Sequence, residues 1–193
     1  MEQDGVQNRK MNAVTIPRFG GASVLRNEVV DLPYELEECE VLIEVHACGI
    51  NHLDCQLRAG ELDTEHDIRL PCVPGADLSG KVRKIGDKVL NVKVGDAVFG
   101  RQSLARIVQG RGGACAEWCV VNAAHVVSKP LSLSHELAAA VPTAGMVAFA
   151  ALRLVCRLHT RSNHQRACIA MPTQHVTVSV SYTHLTLPTT PYV

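Results

Sequence analysis

The chain has 193 residues, of which 47% are apolar and 20% charged, and its formal net charge is zero. That length holds one domain of ordinary size or a domain plus part of another, and the composition is typical of a globular protein. A balanced charge offers no basic face to nucleic acid or to an anionic membrane surface. We therefore expect no nucleic-acid partner and no membrane partner.

The sequence also lacks recognisable targeting signals. No apolar segment approaches the roughly 20 residues of a membrane span, and the polar leader at residues 1–10 lacks the apolar core of a secretory signal. The eight cysteines then indicate reduced thiols rather than a disulfide scaffold. These features predict an intracellular, cytoplasmic protein.

The part of the chain after the leader predicts short strands separated by turns. Apolar and polar side chains alternate over residues 41–46, which is the period of a half-buried strand. A single short helix is indicated at residues 52–59 by Leu53 and Leu57. Strand-like composition between turn signals predicts the other strands at residues 11–17, 24–32, 78–85, 97–99, 114–121 and 126–128. This pattern favours a twisted β-barrel over alternating βαβ units.

The period changes to that of helices at Ser134. Ser134 is a candidate N-cap, and Glu136 places a negative charge in the first turn. Pro142 is suited to open a second helix that runs to about residue 158. Both helices are apolar and rich in alanine, so we expect them to need a partner surface and to cause self-association where they lie exposed.

Residues 159–193 have a different character, with no glycine and no clear period. Their end, residues 180–190, resembles the read-through translation of a sequencing-library adapter. We expect residues 159–193 to be a non-family tail produced by frameshift or adapter read-through, and we exclude them from the fold. The alternative is an ordinary polar tail.

Six phrases then occur in a fixed order. They are M-N-A-V-T-I-P-R-F-G-G-A-S-V-L (11–25), C-G-I-N-H-L-D (48–54), R-A-G (58–60), P-G-A-D-L-S-G (74–80), V-G-D-A-V-F-G (94–100) and A-A-A-V-P-T-A-G (138–145). Together they resemble the N-terminal half of zinc-independent medium-chain dehydrogenases/reductases of the quinone oxidoreductase (zeta-crystallin-like) branch. The resemblance implies a mainly β fold with a few helices. A GroES-like, twisted and partly open β-barrel would occupy residues 11–133, and two linking helices at residues 134–158 would lead toward a Rossmann domain that is absent.

The same resemblance bears on metal binding. In the zinc-dependent alcohol dehydrogenases the catalytic ligands would fall at positions 48, 76 and 143, which here hold Cys48, Ala76 and Thr143. One ligand of three cannot hold zinc, and the spacing of Cys115 and Cys119 does not suit the structural zinc lobe. We therefore predict no metal. The alternative is an improvised site drawn from a cluster of thiols and imidazoles, namely His46, Cys48, His52, Cys55 and Cys72.

The candidate site residues come from the resemblance. Asn51 would be the catalytic residue near the nicotinamide ribose and the substrate, where a neutral amide offers both a donor and an acceptor; an N-cap role is compatible with this. Thr143 and Val147 would face the cofactor, although the branch usually has Thr where Val147 stands. For Asp77 we favour a capping role over that of a site acid. Asp54 and Arg58 are spaced for a structural i,i+4 ion pair.

These features predict the N-terminal, substrate-side domain of an NADPH-dependent oxidoreductase that transfers a hydride to a quinone or an α,β-unsaturated carbonyl compound. No glycine follows Gly145, so the glycine-rich turn that would hold the pyrophosphate is missing. We therefore expect NADPH to bind this chain no better than background. Two alternatives stay open: a catalytically inactive GroES-like module that binds a partner through residues 138–155, and a metal-binding domain.

Overall fold

The computed structural model describes residues 10–33, 35–62 and 67–151. Within these ranges the chain forms seven strands and four α-helices, with single 3₁₀ turns at Ala22–Val24 and Ala123–His125. In chain order the elements are β1 (Lys10–Thr15), β2 (Arg26–Asp31), β3 (Glu40–Gly49), α1 (His52–Ala59), β4 (Asp77–Ile85), β5 (Ala97–Arg101), α2 (Leu104–Val108), β6 (Trp118–Asn122), β7 (Val126–Ser128), α3 (His135–Ala139) and α4 (Pro142–Ala150).

The strands form two antiparallel sheets. β1 and β2 pair in a two-stranded sheet, and the other five follow the order β6-β3-β4-β5-β7. No strand of the described residues pairs in parallel, and the five-stranded sheet does not close on itself there. The predicted mainly β fold with a partly open barrel is confirmed.

The centre of the large sheet depends on close contact between β3 and β4. A Cβ atom added at Gly80 of β4 would lie 2.1 Å from the Glu44 carbonyl oxygen of β3. Only glycine therefore permits this approach. Val41 and Ile43 of β3 and Val82 of β4 are fully buried beneath the pair and belong to the main hydrophobic core.

A second hydrophobic core lies beneath helices α1 and α2. Leu57 of α1 and Ile107 of α2 are each 1% exposed and pack with Ile16 and Ile68. Helix α1 has the predicted bounds. Helix α2 was not predicted, because its five residues are too few to show a helical period.

One predicted strand is shorter than expected. Residues 114–121 have strand-like composition, yet β6 begins only at Trp118. The preceding residues hydrogen-bond to a loop instead: Ala114 N donates to the Gly75 oxygen at 2.7 Å, and Cys115 N donates to the Pro74 oxygen at 2.9 Å. Backbone pairing with this loop replaces the sheet ladder.

The predicted starts of the last two described helices, α3 and α4, are confirmed. The Ser134 hydroxyl accepts a hydrogen bond from Leu137 N at 3.3 Å, and Glu136 lies in the first turn of α3. Pro142 is the first residue of α4. The predicted extent of that helix to about residue 158 and the tail at 159–193 lie outside the described residues.

The chain divides into two compact units, Met1–Thr143 and Ala144–Val193. The predicted domain boundaries at residues 133 and 158 stay predictions. Across the described residues, no helix combines the length and the apolar character needed to cross a bilayer.

A pair of histidines lies where α3 packs on the large sheet. The His46 and His135 rings have centroids 4.5 Å apart, and His135 Nδ1 is 2.8 Å from the Ser79 hydroxyl. Ser79 donates its only hydroxyl proton to the Val98 oxygen at 2.9 Å. The hydroxyl must therefore accept a hydrogen bond from His135 Nδ1–H. Burial, followed by the charges of His46 and Lys129, lowers the pKa of His135.

This histidine predicts a dependence of stability on pH. Because the pKa of His135 is lowered from its ordinary 6.5, the unfolded chain takes up the proton first as the pH falls, and folding then loses stability. We expect the urea midpoint to decline between about pH 7 and about pH 5, and to decline less steeply in His135→Gln. The matched variant of an exposed histidine, His125→Gln, should keep the original slope. Parallel profiles for His135→Gln and the unchanged chain would contradict this assignment.

Candidate functional site

Asn51 is held rigidly at the start of α1. It is the N-cap residue of that helix, with extended backbone angles, and it is only 5% exposed. Its backbone N–H donates to Asp54 Oδ2 at 2.8 Å, and its side-chain Nδ2 donates to Asp77 Oδ2 at 3.1 Å. The predicted N-cap position is therefore confirmed, and the orientation of the amide is fixed by a carboxylate.

Asp77 collects hydrogen bonds from three sources at the first residue of β4. Besides the Asn51 amide, it accepts Thr143 N at 2.9 Å on Oδ2 and the Thr143 hydroxyl at 2.7 Å on Oδ1. The carboxylate is 1% exposed, and a buried charge needs such donors. Asp77 does cap a backbone N–H, as predicted. The group it caps is in α4, 66 residues away, rather than in its own turn.

Asp54 supports the loop that leads into β4. Its Oδ1 accepts a hydrogen bond from Gly75 N at 2.9 Å, and Gly75 adopts a positive φ of 98°, which suits glycine. Burial raises the pKa of the Asp54 carboxyl, and the backbone N–H groups of Asn51 and Gly75 oppose that rise. Asp54 thereby joins α1 to the residue that precedes Ala76 and Asp77.

The predicted ion pair between Asp54 and Arg58 is wrong. The Asp54 carboxylate is turned toward the backbone donors of Asn51 and Gly75, whereas Arg58 Nε donates to the Gly20 oxygen at 3.2 Å. Satisfying buried N–H groups contributes more than a surface pair.

Arg101 is a site residue that the sequence did not indicate. It ends β5, where its backbone pairs with Asp77 of β4, and its Nε donates to the Thr143 hydroxyl at 3.1 Å. The Thr143 hydroxyl therefore accepts from Arg101 while it donates to Asp77. Arg101 directly follows the phrase V-G-D-A-V-F-G, but only the register of β4 and β5 places it beside Thr143.

Asn51 and Thr143 thus meet at one carboxylate. Val147 lies four residues beyond Thr143 in α4, one turn along the same helix face. It belongs to the second compact unit and brings no hydrogen-bonding group. The three residues proposed from sequence therefore stay a prediction as a binding site. The structure adds two charged groups. One is the Asp77 carboxylate, which accepts hydrogen bonds from Asn51 and Thr143 and which we call the Asp77 hub. The other is the Arg101 guanidinium, which donates to Thr143.

The positions compared with zinc ligands hold other contacts. Ala76 is 1% exposed and its oxygen accepts Gln102 N at 2.6 Å, while Thr143 is engaged with Asp77. In the described ranges, no three His, Cys, Asp or Glu side chains are grouped so as to hold a metal ion. The described residues thus offer no support for an improvised zinc site.

The Asp77 hub leads to a stability prediction. In Asp77→Asn, a single acceptor oxygen would remain for three donors, and the new NH₂ group would face one of them. We expect the free energy of unfolding to fall by about 2 kcal/mol, the usual cost of lost hydrogen bonds to a charged group. Urea denaturation measures this change.

The control replaces an exposed carboxylate in a turn. Asp87→Asn should change the free energy of unfolding by no more than about 0.5 kcal/mol, as is usual for surface positions. Equal stabilities of the two variants would show that Asp77 is not the hub we describe.

Comparison with known proteins agrees with this geometry. The quinone oxidoreductase of Lama guanicoe is 34% identical over 147 residues, which cover 75% of this chain and 41% of that protein. The chloroplastic NADPH-dependent alkenal/one oxidoreductase of Arabidopsis thaliana is 33% identical over 138 residues, covering 70% and 35%. The crystal structure of Escherichia coli quinone oxidoreductase complexed with NADPH aligns with a TM-score of 0.63 at 28% identity, covering 75% of this chain and 41% of that one.

The chain therefore spans about two fifths of the length of these relatives. The sequence profile of the alcohol dehydrogenase GroES-like domain matches residues 37–148. These residues extend from just before β3 almost to the end of α4 and include Asn51, Asp77, Arg101 and Thr143. With more than half of its residues matched, the chain belongs to the alcohol dehydrogenase GroES-like domain family, and quinone oxidoreductases are among its relatives.

Proposed function

We propose that this chain is the substrate-side domain of an NADPH-dependent oxidoreductase that reduces a quinone or an α,β-unsaturated carbonyl compound. The observation that carries the proposal is that the Asp77 carboxylate holds Asn51 and Thr143, two positions for which the resemblance implies contact with the cofactor. The names of the two relatives supply the chemical classes, a quinone and an alkenal or enone.

The described residues fit one end of NADPH. The Asn51 amide and the Thr143 hydroxyl are polar, uncharged groups whose orientation is fixed by Asp77. They would hold the nicotinamide ribose through hydrogen bonds, since each can act as a donor or an acceptor. NADPH, when bound, supplies the hydride. No glycine follows Gly145 in the sequence, so we expect no glycine-rich turn in this chain to hold the pyrophosphate.

Each residue then has a defined task. The Asn51 amide, which donates to Asp77 and is oriented by it, would contact the nicotinamide ribose. Arg101 brings a positive charge to within hydrogen-bonding distance of Thr143, and such a charge favours the negative charge that develops on a carbonyl oxygen during hydride addition. The described residues group no set of metal ligands here, so positioning and hydrogen bonding are the means that these side chains provide.

The first experiment tests the chain alone. A fluorescence titration with NADPH should show no saturable binding, because the pyrophosphate lacks its cradle. Saturation at micromolar NADPH would contradict this part of the proposal.

The second experiment joins the chain to the cofactor-binding domain of a relative. Residues 10–151 would replace the corresponding N-terminal domain of the Lama guanicoe quinone oxidoreductase, and the chimera would be assayed for NADPH oxidation with a quinone and with an enone. We expect activity with one of these acceptors. In the chimera, Asn51→Ala should lower kcat/KM about tenfold, the equivalent of one hydrogen bond. The exposed Asn27→Ala is the matched control.

A folded chimera that binds NADPH but reduces neither acceptor would overturn the proposal. It would favour the alternative of a catalytically inactive interaction module. The cytoplasmic location inferred from the sequence remains a separate prediction, tested by imaging a tagged chain.

We further propose that the chain self-associates through the apolar surface of its C-terminal helices. Leu137 of α3 is 61% exposed and Val141, which follows that helix, is 41% exposed. Exposed apolar surface of this kind favours association. Light scattering should therefore give a mass above that of one chain, and Leu137→Glu with Val141→Glu should lower it. A monodisperse single chain before any substitution would contradict the expectation.

A further inference from the structure

Two thiols from distant parts of the chain face each other beside the candidate site. Cys48 lies at the end of β3 and Cys115 lies in the segment before β6, yet their Sγ atoms are 3.5 Å apart across a sequence separation of 67. A disulfide bond is about 2.05 Å long, so the two sulfurs need to approach by only about 1.5 Å. Their existing contact shows that no other residue has to leave the space between them.

A glycine holds this pair in place. A Cβ atom on Gly75 would lie 2.8 Å from the Cys48 sulfur and 2.9 Å from the Cys115 sulfur. Any larger residue at this position would therefore push the sulfurs away. The Cys115 N–H also donates to the Pro74 oxygen at 2.9 Å. The loop at Pro74 and Gly75 thus fixes the backbone of one cysteine and makes room for both thiols.

Both cysteines lie at an open surface cavity and are partly exposed. Cys48 and Cys115 are among the residues that line this cavity of about 310 Å³, together with Asn12, Asn27, His46 and Glu117. Two other described thiols lack this access. Cys72 and Cys119 are each 2% exposed, and burial raises the pKa of Cys72 to about 11 and that of Cys119 to about 12.

We propose that Cys48 and Cys115 form a reversible disulfide when a small hydroperoxide enters this cavity. One of the two sulfurs attacks a peroxide oxygen, the O–O bond breaks, and the thiol proton leaves with the departing oxygen as water or, from an alkyl hydroperoxide, as the alcohol. The attacked cysteine is then a sulfenic acid. The other sulfur attacks the sulfenic acid sulfur, the S–S bond forms, and the hydroxyl leaves with the proton of the second thiol as water. Two thiols are oxidised by two electrons and one hydroperoxide is reduced.

The hydrogen bond between the two thiols leaves either one able to meet the oxidant, because either sulfur can be the donor. The pKa of Cys48 is raised, first by its hydrogen bond to Cys115 and then by burial. The inference rests on the sulfur geometry and does not depend on the proposed oxidoreductase function.

The oxidised pair would act on the candidate site through Gly75. The N–H of this glycine donates to Asp54 in the hydrogen-bond network of Asn51 and Asp77. Closing the disulfide also links two points 67 residues apart, which restricts the unfolded chain. We expect the oxidised chain to unfold at a higher urea concentration than the reduced chain.

The test is a disulfide map of the full chain. The reduced protein would be treated with hydrogen peroxide at an equimolar amount, free thiols blocked with N-ethylmaleimide, and the digested chain analysed by mass spectrometry with fragmentation. We expect a cross-link between Cys48 and Cys115 that dithiothreitol removes. Cys48→Ser and Cys115→Ser should each lose the cross-link completely, whereas Cys119→Ser and Cys39→Ser should keep it.

The map of the unchanged chain decides the matter even if a serine variant fails to fold. Sulfinic or sulfonic acid at either cysteine without the cross-link would overturn the proposal. So would a map in which Cys115 joins Cys119 or any other cysteine in preference to Cys48.

Discussion

The buried carboxylate of Asp77 is the interaction on which the site depends. A charge at 1% exposure is tolerated only because three donors from two distant residues surround it, since an unpaired buried charge is strongly destabilising. Those donors come from the N-cap of α1 and from the first turn of α4, so the carboxylate joins two helices to the start of β4. The position of Thr143 relative to Asn51 is then set by one group rather than by the packing of apolar side chains.

Glycines make that junction possible. A Cβ atom at Gly49 would lie 2.4 Å from the Ala139 oxygen and 3.0 Å from the Asp77 Cβ. The end of β3 can therefore lie against α3 and β4 only without a side chain. Gly75 fulfils the same condition on the other side, where an added Cβ would lie within 2.9 Å of both cysteine sulfurs and where its N–H donates to Asp54. The hydrogen bonds to Asp77 therefore depend on these glycines, because closely packed backbones bring the donors within hydrogen-bonding distance of the carboxylate.

Which features could be predicted from the sequence depends on how far apart along the chain the interacting residues lie. The bounds of α1 and β7, the Ser134 cap and the start of α4 at Pro142 each follow from residues within a few positions of each other, and all were predicted correctly. The shortened β6, the separate partners of Asp54 and Arg58, and the reach of Asp77 to Thr143 depend on segments brought together by the fold. No local pattern encodes such contacts, because the competing partner lies tens of residues away.

The comparison with zinc ligands and the hub concern the same residue. The resemblance to zinc-dependent alcohol dehydrogenases puts a metal ligand at position 143, where this chain has Thr143. Its hydroxyl donates to Asp77 and accepts from Arg101. It therefore links the carboxylate to the guanidinium through two hydrogen bonds. The position that would bind a metal is here part of a hydrogen-bond network. If the proposed function holds, this network would offer the substrate fixed dipoles and charges, which need no reorganisation when the substrate reacts.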